Sequence, residues 1–167
     1  MMKACFIGHK TIEKSEVLLS SLKETVLTLI NKGVTTFLFG SNSEFNDLSW
    51  KIVTELKKEY PFVKRIYVRS THQHLEKSYE EYLLKFYETT YCPSKIINAG
   101  KSSYVKRNYE MIDNSMYCVF YYNENYIPKL KYPAKYNMLL PKNRNSGTKI
   151  AYDYAQKKNK EIINLFK

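Results

Sequence analysis

A strand–helix–strand pattern is clearest in residues 4–40, which read ACFIGHKTIEKSEVLLSSLKETVLTLINKGVTTFLFG. A short apolar run ends at Gly8, and a β-branched and aromatic run ends at Gly40. Between them, apolar residues recur at helical spacing over 13–32, and Gly33 is typical of a helix C-terminus. This alternation predicts a parallel sheet with helices packed on both of its faces.

The same alternation continues to the end of the chain. Further strands are expected at residues 63–68, 96–97, 116–122 and 161–165, and further helices at 48–56, 75–91, 104–114 and 146–158. No linker or internal repeat interrupts the pattern. We therefore predict one domain over residues 1–167, an α/β fold of three layers with helices flanking a mainly parallel sheet.

The composition favours an anionic partner. The 167 residues include 27 Lys and Arg against 16 Asp and Glu, for a formal net charge of +11. Such an excess favours nucleotides, nucleic acid or acidic surfaces. No apolar stretch is long enough for a membrane span or a signal peptide, so we expect a cytoplasmic protein with no membrane partner. Cys5, Cys92 and Cys118 are odd in number and form no CxxC, which indicates reduced thiols.

The sequence lacks the motifs of several common nucleotide- and metal-binding sites. The five glycines never form Gly-x-Gly, and no GxxxxGK[ST] run exists, so neither a dinucleotide fingerprint nor a P-loop is present. His72 and His74 are two residues apart, but no neighbouring histidine, cysteine or carboxylate set completes a metal site. We expect no metal and no cofactor.

The candidate ligand site follows from the sheet. Ligands of open parallel sheets bind at the carboxyl ends of the strands, near the point where the strand order reverses. Glycine lets a backbone approach a ligand closely, and the first-turn amides of a helix bind phosphate. Taken singly, such a glycine more often just ends a strand and such a serine just caps a helix; the convergence of the turns favours a site. The candidate ligand residues at these turns are Gly8, His9, Lys10, Gly40, Ser41, Asn42, Arg69, Ser146, Gly147 and Thr148.

Four segments of the chain carry a family resemblance. They are FIGHK at 6–10, FLFGSN at 37–42, YVKRNYEMID at 104–113, and SGT at 146–148 followed by Ala151, Tyr154 and Ala155. In this order they resemble two glycine turns, a Y-x-x-R-N helix and a phosphate turn of the SLOG superfamily, in its small YpsA-like branch. The resemblance covers nearly the whole chain and implies a Rossmann-like nucleotide-binding domain.

The resemblance also implies roles for residues. It adds Arg107 and Asn108 to the candidate ligand residues, with Arg107 assisting phosphates held on the amides of 146–148. The base or ribose of the ligand would then lie across the turns at Gly8 and Gly40.

Hydrolases of this superfamily carry a catalytic glutamate three residues after the threonine of the phosphate turn. That position is Ala151 here. Cleavage of an N-glycosidic bond needs a carboxylate, so activity by that mechanism is not expected. A substitute carboxylate would have to come from elsewhere, with Glu44, Asp47 and Asp113 as the candidates.

Three functions are therefore distinguished. The leading one is binding of an anionic nucleotide or nucleotide-derived ligand, signalling nucleotides included. The first alternative is a nucleotide N-glycoside or phosphoester hydrolase with an unlocated carboxylate, and the second is nucleic-acid binding through the basic surface.

Other features bear on partners. Tyr122 and Tyr126 follow the fifth strand, where they are well placed to stack on a base. The basic segment 123–145 is either a solvated loop or a lid over the phosphates. The tyrosine-rich segment 75–91 is a candidate homodimer surface.

Overall fold

The computed structural model describes residues 1–70, 77–96, 99–127 and 146–167. In this part of the chain six strands form one sheet in the order β4-β3-β2-β1-β5-β6, and every neighbouring pair is parallel. The strands are β1 (Met2–Gly8), β2 (Val34–Phe39), β3 (Lys64–Val68), β4 (Thr89–Tyr91), β5 (Tyr117–Tyr121) and β6 (Glu161–Asn164).

Helices connect the strands, and serine side chains cap three of them. The α-helices of the described residues are α1 (Glu16–Asn31), α2 (Glu44–Leu56), α3 (Lys77–Leu83), α4 (Ser103–Asp113) and α5 (Gly147–Lys157). Ser15, Ser43 and Ser146 each accept a hydrogen bond from a first-turn amide of α1, α2 and α5, respectively. This satisfies a donor that has no partner within the helix.

The sheet lies between two layers of helices because its side chains alternate between two faces. In β1, Ala4 and Phe6 belong to a core built with α1 and α2, whereas Cys5 and Ile7 belong to a core built with α4 and α5. The predicted three-layer α/β fold with a parallel sheet is therefore confirmed.

The strand order reverses between β1 and β5. From β1 the chain first builds β2, β3 and β4 on one side and then β5 and β6 on the other. Because all pairs are parallel, the carboxyl ends of the strands lie at one edge of the sheet. The turns at residues 8–10, 40–43 and 69–70 and the loop after β5 all belong to this edge.

The helix expected over residues 75–91 is wrong in its extent. It ends with α3, and its last three residues form β4 instead. Aromatic residues at helical spacing continue past the end of α3 to Phe86, which explains the error. Thr90 pairs with Tyr67 of β3, and its hydroxyl donates to the Tyr67 carbonyl at 2.8 Å.

The strand expected at 96–97 is also wrong. Residues Ser94–Ile96 form a 3₁₀ turn, in which the Ile96 amide donates to the carbonyl of Pro93 at 3.0 Å. Ile97 lies outside the described residues. The other expected strands and helices are present, with small shifts at their ends.

The three cysteines are free thiols. Cys5 and Cys118 are register partners in the neighbouring strands β1 and β5, and burial raises the pKa of the Cys5 thiol. The pair of His72 and His74 lies outside the described residues, as does most of the basic segment 123–145. Within the described ranges, no helix combines the length and the apolar character that crossing a membrane requires.

Candidate functional site

The turn after β2 is built around a close contact between Gly40 and Arg107. A Cβ added to Gly40 would lie 2.7 Å from the Arg107 Cδ and 2.9 Å from the Val68 carbonyl oxygen, so only glycine fits. The carbonyl of Gly40 accepts a hydrogen bond from Nη1 of Arg107, and its amide donates to Oδ1 of Asn46 at 3.3 Å. Both polar groups of this residue are therefore bound within the protein.

Arg107 lies beneath this turn as a buried cation. Its side chain comes from α4 and is 3% exposed, and its Nε donates to Oδ1 of Asn108 at 3.0 Å. Burial lowers the pKa of the guanidinium to about 10. Of the two residues that the family resemblance added to the site, Arg107 thus joins α4 to the end of β2, and Asn108 binds the Arg107 side chain.

A cleft of about 560 Å³ opens beside the same turn. It lies between α2, α3 and the start of α4, above the carboxyl ends of β2 and β3. Among the described residues, its walls include the turn residues Gly40, Ser41, Asn42 and Ser70 and the aromatic residues Trp50, Tyr67, Tyr79, Tyr82, Phe86, Tyr87 and Tyr104.

The aromatic side chains of the cleft support one another. The ring of Phe86 lies 6.2 Å from that of Trp50 and 5.2 Å from that of Tyr82, and Trp50 Nε1 donates to the Phe86 carbonyl at 3.4 Å. Tyr67 and Tyr87 form a further pair with their centroids 5.2 Å apart. Burial raises the pKa of both of these tyrosines above its ordinary value.

His9 follows β1 and is almost fully buried. The backbone amide of Asn123 donates to its Nε2 at 2.9 Å, and the ring of Tyr126 stacks on the imidazole at 3.8 Å. Burial lowers the pKa of His9. Its Nδ1 is buried without a hydrogen-bond partner among the described residues. The ring therefore packs in neutral form against the loop that follows β5.

The structure shows a packing role for Gly8 and places the side chain of Lys10 at the surface. A Cβ on Gly8 would lie 2.5 Å from Cδ1 of Phe45, so this glycine is required by packing against α2. Lys10 has an exposed side chain, and its carbonyl accepts from the Glu44 amide at 2.9 Å. The Lys10 ammonium is therefore at the surface of the carboxyl edge.

The N-terminus of α5 lies at this edge, and its first residue, Gly147, is exposed. Among the described residues, and apart from its chain neighbours and the backbone of α5, no heavy atom lies within 4 Å of a Cβ built on Gly147. The Ser146 hydroxyl accepts from the amide of Lys149 at 3.1 Å, and the side chain of Thr148 is buried. Ala151, where the hydrolases would have their glutamate, is buried in the core between the sheet and the helices α4 and α5.

Arg69 directly follows β3, and its side chain is buried. Its amide donates to the Tyr91 carbonyl at 2.8 Å, and its Nη1 lies 3.4 Å from a carboxylate oxygen of Glu80 on α3. The guanidinium thereby links the end of β3 to the helix that closes the cleft.

The three carboxylates considered as substitutes lie in different places. Glu44 accepts from the Ile12 amide at 3.0 Å, which positions the loop after β1. Asp113, at the C-terminal end of α4, accepts from the hydroxyl of Tyr154 at 3.0 Å, at the opposite edge of the sheet. Asp47 alone of the three lines the cleft.

The predicted site residues thus share one edge of the sheet but fall into separate groups. Gly40, Ser41 and Asn42 line the cleft, whereas His9 packs against the loop after β5 and residues 146–148 begin α5. None of the described residues forms a group of three or more His, Cys, Asp and Glu side chains that could hold a metal.

Sequence reasoning missed the aromatic walls of the cleft. The sequence analysis named Tyr122 and Tyr126 as stacking candidates; Tyr122 stacks on Tyr152 at 4.6 Å, Tyr126 stacks on His9, and neither lines the cleft. The available signal was Trp50, the only tryptophan of the chain, on the helix that follows the second glycine turn.

Comparison with known proteins agrees with this architecture. The family model YpsA, described as the YspA SLOG family, matches residues 6–160. Among curated proteins, no match to the chain was found. The match includes the glycine turns, α4 and the start of α5, and it confirms the resemblance drawn from the sequence. The chain therefore belongs to the YspA SLOG family.

Proposed function

We propose that this protein binds an anionic nucleotide, or a ligand derived from one, at the carboxyl edge of its sheet. In this proposal the phosphates lie on the first-turn amides of α5 at 146–148. The remainder of the ligand extends along the edge toward the turn at 40–42.

The cleft beside the Gly40 turn is the observation that carries the proposal. Its volume of about 560 Å³ lies within the range of small-ligand pockets, about 300–1,000 Å³. It opens at the edge where ligands of parallel sheets bind. Membership of the SLOG family and the α/β fold are consistent with a nucleotide-related ligand.

The start of α5 offers hydrogen-bond donors for a phosphate. First-turn amides have no acceptor within their own helix, and the partial positive charge of a helix N-terminus favours anions. Because the Ser146 hydroxyl already caps the Lys149 amide, the amides of Gly147 and Thr148 are the donors that this proposal uses. Gly147 is exposed, and none of the described side chains covers the position of its Cβ.

Thermal unfolding against a panel of nucleotides tests the proposal. The panel contains nucleoside mono-, di- and triphosphates, NAD, ADP-ribose and cyclic nucleotides. A ligand present at a hundred times its Kd stabilises the folded state by about 2.7 kcal/mol, which gives a clear rise in Tm. A panel that leaves the Tm unchanged would overturn the proposal.

Gly147→Glu locates the phosphates. The new carboxylate would stand at the first turn of α5, where no described side chain blocks it and where it repels a phosphate while favouring the helix itself. Gln156→Glu is the matched control, since it adds the same charge near the other end of α5. We expect Gly147→Glu to abolish the nucleotide-dependent rise in Tm and Gln156→Glu to retain it.

The hydrolase alternative depends on Asp47, the carboxylate that lines the cleft. It predicts release of free base or phosphate from AMP or a related nucleotide, and loss of that release in Asp47→Asn with binding retained. Absence of product after prolonged incubation, under conditions in which the nucleotide binds, would exclude it for that substrate.

A further inference from the structure

Seven of the fifteen described residues that line the cleft beside the Gly40 turn are aromatic, and their side chains are only partly covered. Tyr82 is 53% exposed, and the ring of Phe86 is also exposed beside it. Aromatic faces left open within a concave site are typical of pockets that take apolar or planar ligands.

The aromatic side chains of the cleft contact one another. Contacts between the rings of Trp50, Phe86 and Tyr82 hold one wall, and the Trp50 hydrogen bond to the Phe86 carbonyl fixes the indole. A wall held in this way loses little conformational freedom when a ligand binds.

The charges of the cleft do not match those of a phosphate. Among the described residues, its lining contains one acidic side chain, Asp47, and one basic side chain, Lys51. The two arginines nearby are engaged within the protein: Arg107 with the Gly40 carbonyl and Arg69 with Glu80. The cleft therefore suits an uncharged group better than an anion.

Polar side chains also line the cleft. Asn42 has an exposed side chain that can donate and accept, and Ser70 also lines the cleft. A flat ring with hydrogen-bonding atoms on its edge fits this lining, since its faces can contact the aromatic side chains while its edge bonds to a polar side chain such as Asn42.

We propose that the cleft binds the nucleobase of the ligand by stacking against Tyr82 and its aromatic neighbours, and that an uncharged nucleoside binds there without any phosphate. This inference deepens the proposed function and rests on it for the class of ligand. It separates a ring site in the cleft from a phosphate site at the start of α5.

The single tryptophan of the chain makes the test direct, because Trp50 lies in the wall of the cleft. Its emission is followed while adenosine, uridine or ribose 5-phosphate is added, with free N-acetyltryptophanamide as a correction for absorption and collisional quenching. We expect saturable quenching by at least one nucleoside and none by ribose 5-phosphate.

Tyr82→Ala and Phe62→Ala form a matched pair of variants. Both side chains are 53% exposed, but only Tyr82 lines the cleft. Loss of one stacking partner is expected to weaken nucleoside binding roughly 5- to 150-fold. The Phe62→Ala protein is expected to bind like the original, and unfolding curves of both variants verify that they are folded.

The outcomes distinguish this inference from the proposed function. A nucleotide-dependent rise in Tm without quenching by any nucleoside would overturn the ring site and leave the nucleotide-binding proposal intact. Equal weakening by both variants would likewise overturn the ring site. Quenching by a nucleoside that Tyr82→Ala weakens, with no effect of Gly147→Glu on nucleotide binding, would support the ring site and overturn the phosphate site.

Discussion

Gly8 and Phe45 are in such close contact that a Cβ on Gly8 would lie 2.5 Å from Cδ1 and 2.6 Å from Cβ of the phenylalanine. Gly8 ends β1 and Phe45 lies in the first turn of α2, so this contact sets how closely the helix approaches the central strand. Since Cβ of Phe45 itself is too near, a smaller side chain at position 45 would not relieve the clash.

Gly8→Ala is therefore expected to lower the free energy of unfolding by about 1–3 kcal/mol, the usual cost of overpacking a core. Urea denaturation measures this loss. Gly147→Ala is the control, because its added Cβ meets no tertiary neighbour within 4 Å in the part of the chain that the structure describes. It should leave stability unchanged or raise it by up to about 1 kcal/mol. Equal stability of the two variants would contradict this account of Gly8.

Arg107→Ala is expected to lower the free energy of unfolding by about 1–3 kcal/mol. The substitution removes the donor to the Gly40 carbonyl and leaves that buried acceptor without its side-chain partner. Lys106→Ala, at the exposed neighbouring position on α4, should change stability by less than about 0.5 kcal/mol. Because Arg107 supports the turn that borders the cleft, its loss should also weaken ligand binding; a fully stable variant would disprove the structural role.

Asn46→Asp should lower the free energy of unfolding by an amount that depends on pH. Nδ2 of Asn46 donates to the Phe6 carbonyl at 3.1 Å, while Oδ1 accepts from the Gly40 amide. A carboxylate keeps only the second bond and is buried facing a carbonyl oxygen, so its pKa in the folded state is raised. The destabilisation is complete above that raised pKa and shrinks as the pH falls toward the ordinary value of about 3.9.

Unfolding free energies of Asn46→Asp and the original protein at neutral pH and near pH 4 measure this effect. A difference between the two proteins that stays constant over this range would show that the amide donor is not what matters at this position.

His9 should make stability fall in mild acid. Its folded-state pKa is lowered by burial, whereas in the unfolded chain it is near the ordinary value of about 6.5. As the pH falls below about 6.5, the unfolded state binds a proton that the folded state does not, and stability decreases until the lowered pKa is reached. Comparing the Tm of the original protein and His9→Gln between about pH 5 and 8 isolates this contribution.

The other titrating groups are common to both proteins in that comparison. The Gln variant is expected to lose less stability on acidification than the original; identical pH profiles would mean that His9 does not stay neutral in the folded protein.

Local patterns were informative wherever an element buries one regular face. The apolar run of residues 4–7 and the helical spacing of residues 13–32 predicted β1 and α1, because each pattern reflects the side that packs on the core. The pattern failed at residues 75–91, where aromatic residues line a cleft instead of a core. There the helical spacing continued after the helix had ended, and the strand residues Thr89–Tyr91 were not recognised.

The candidate site was only partly accessible to the same reasoning. Strand ends with glycine are visible in a sequence, so the turns at Gly8 and Gly40 were found and assigned to one edge of the sheet. No local pattern reveals why each of these positions is glycine. Gly8 makes room for Phe45, and Gly40 makes room for Arg107.

The alternation of strands and helices, the family and the edge of the sheet that carries the turns could all be read from the linear chain, because periodicity and strand ends are local properties. The cleft could not, because its walls come from residues as far apart as Ser41, Tyr82 and Tyr104, which meet only when β2 and β3 pair and α2, α3 and α4 pack around them. The tertiary structure likewise decided that Arg107 supports a turn, since the contact joins residues 67 positions apart.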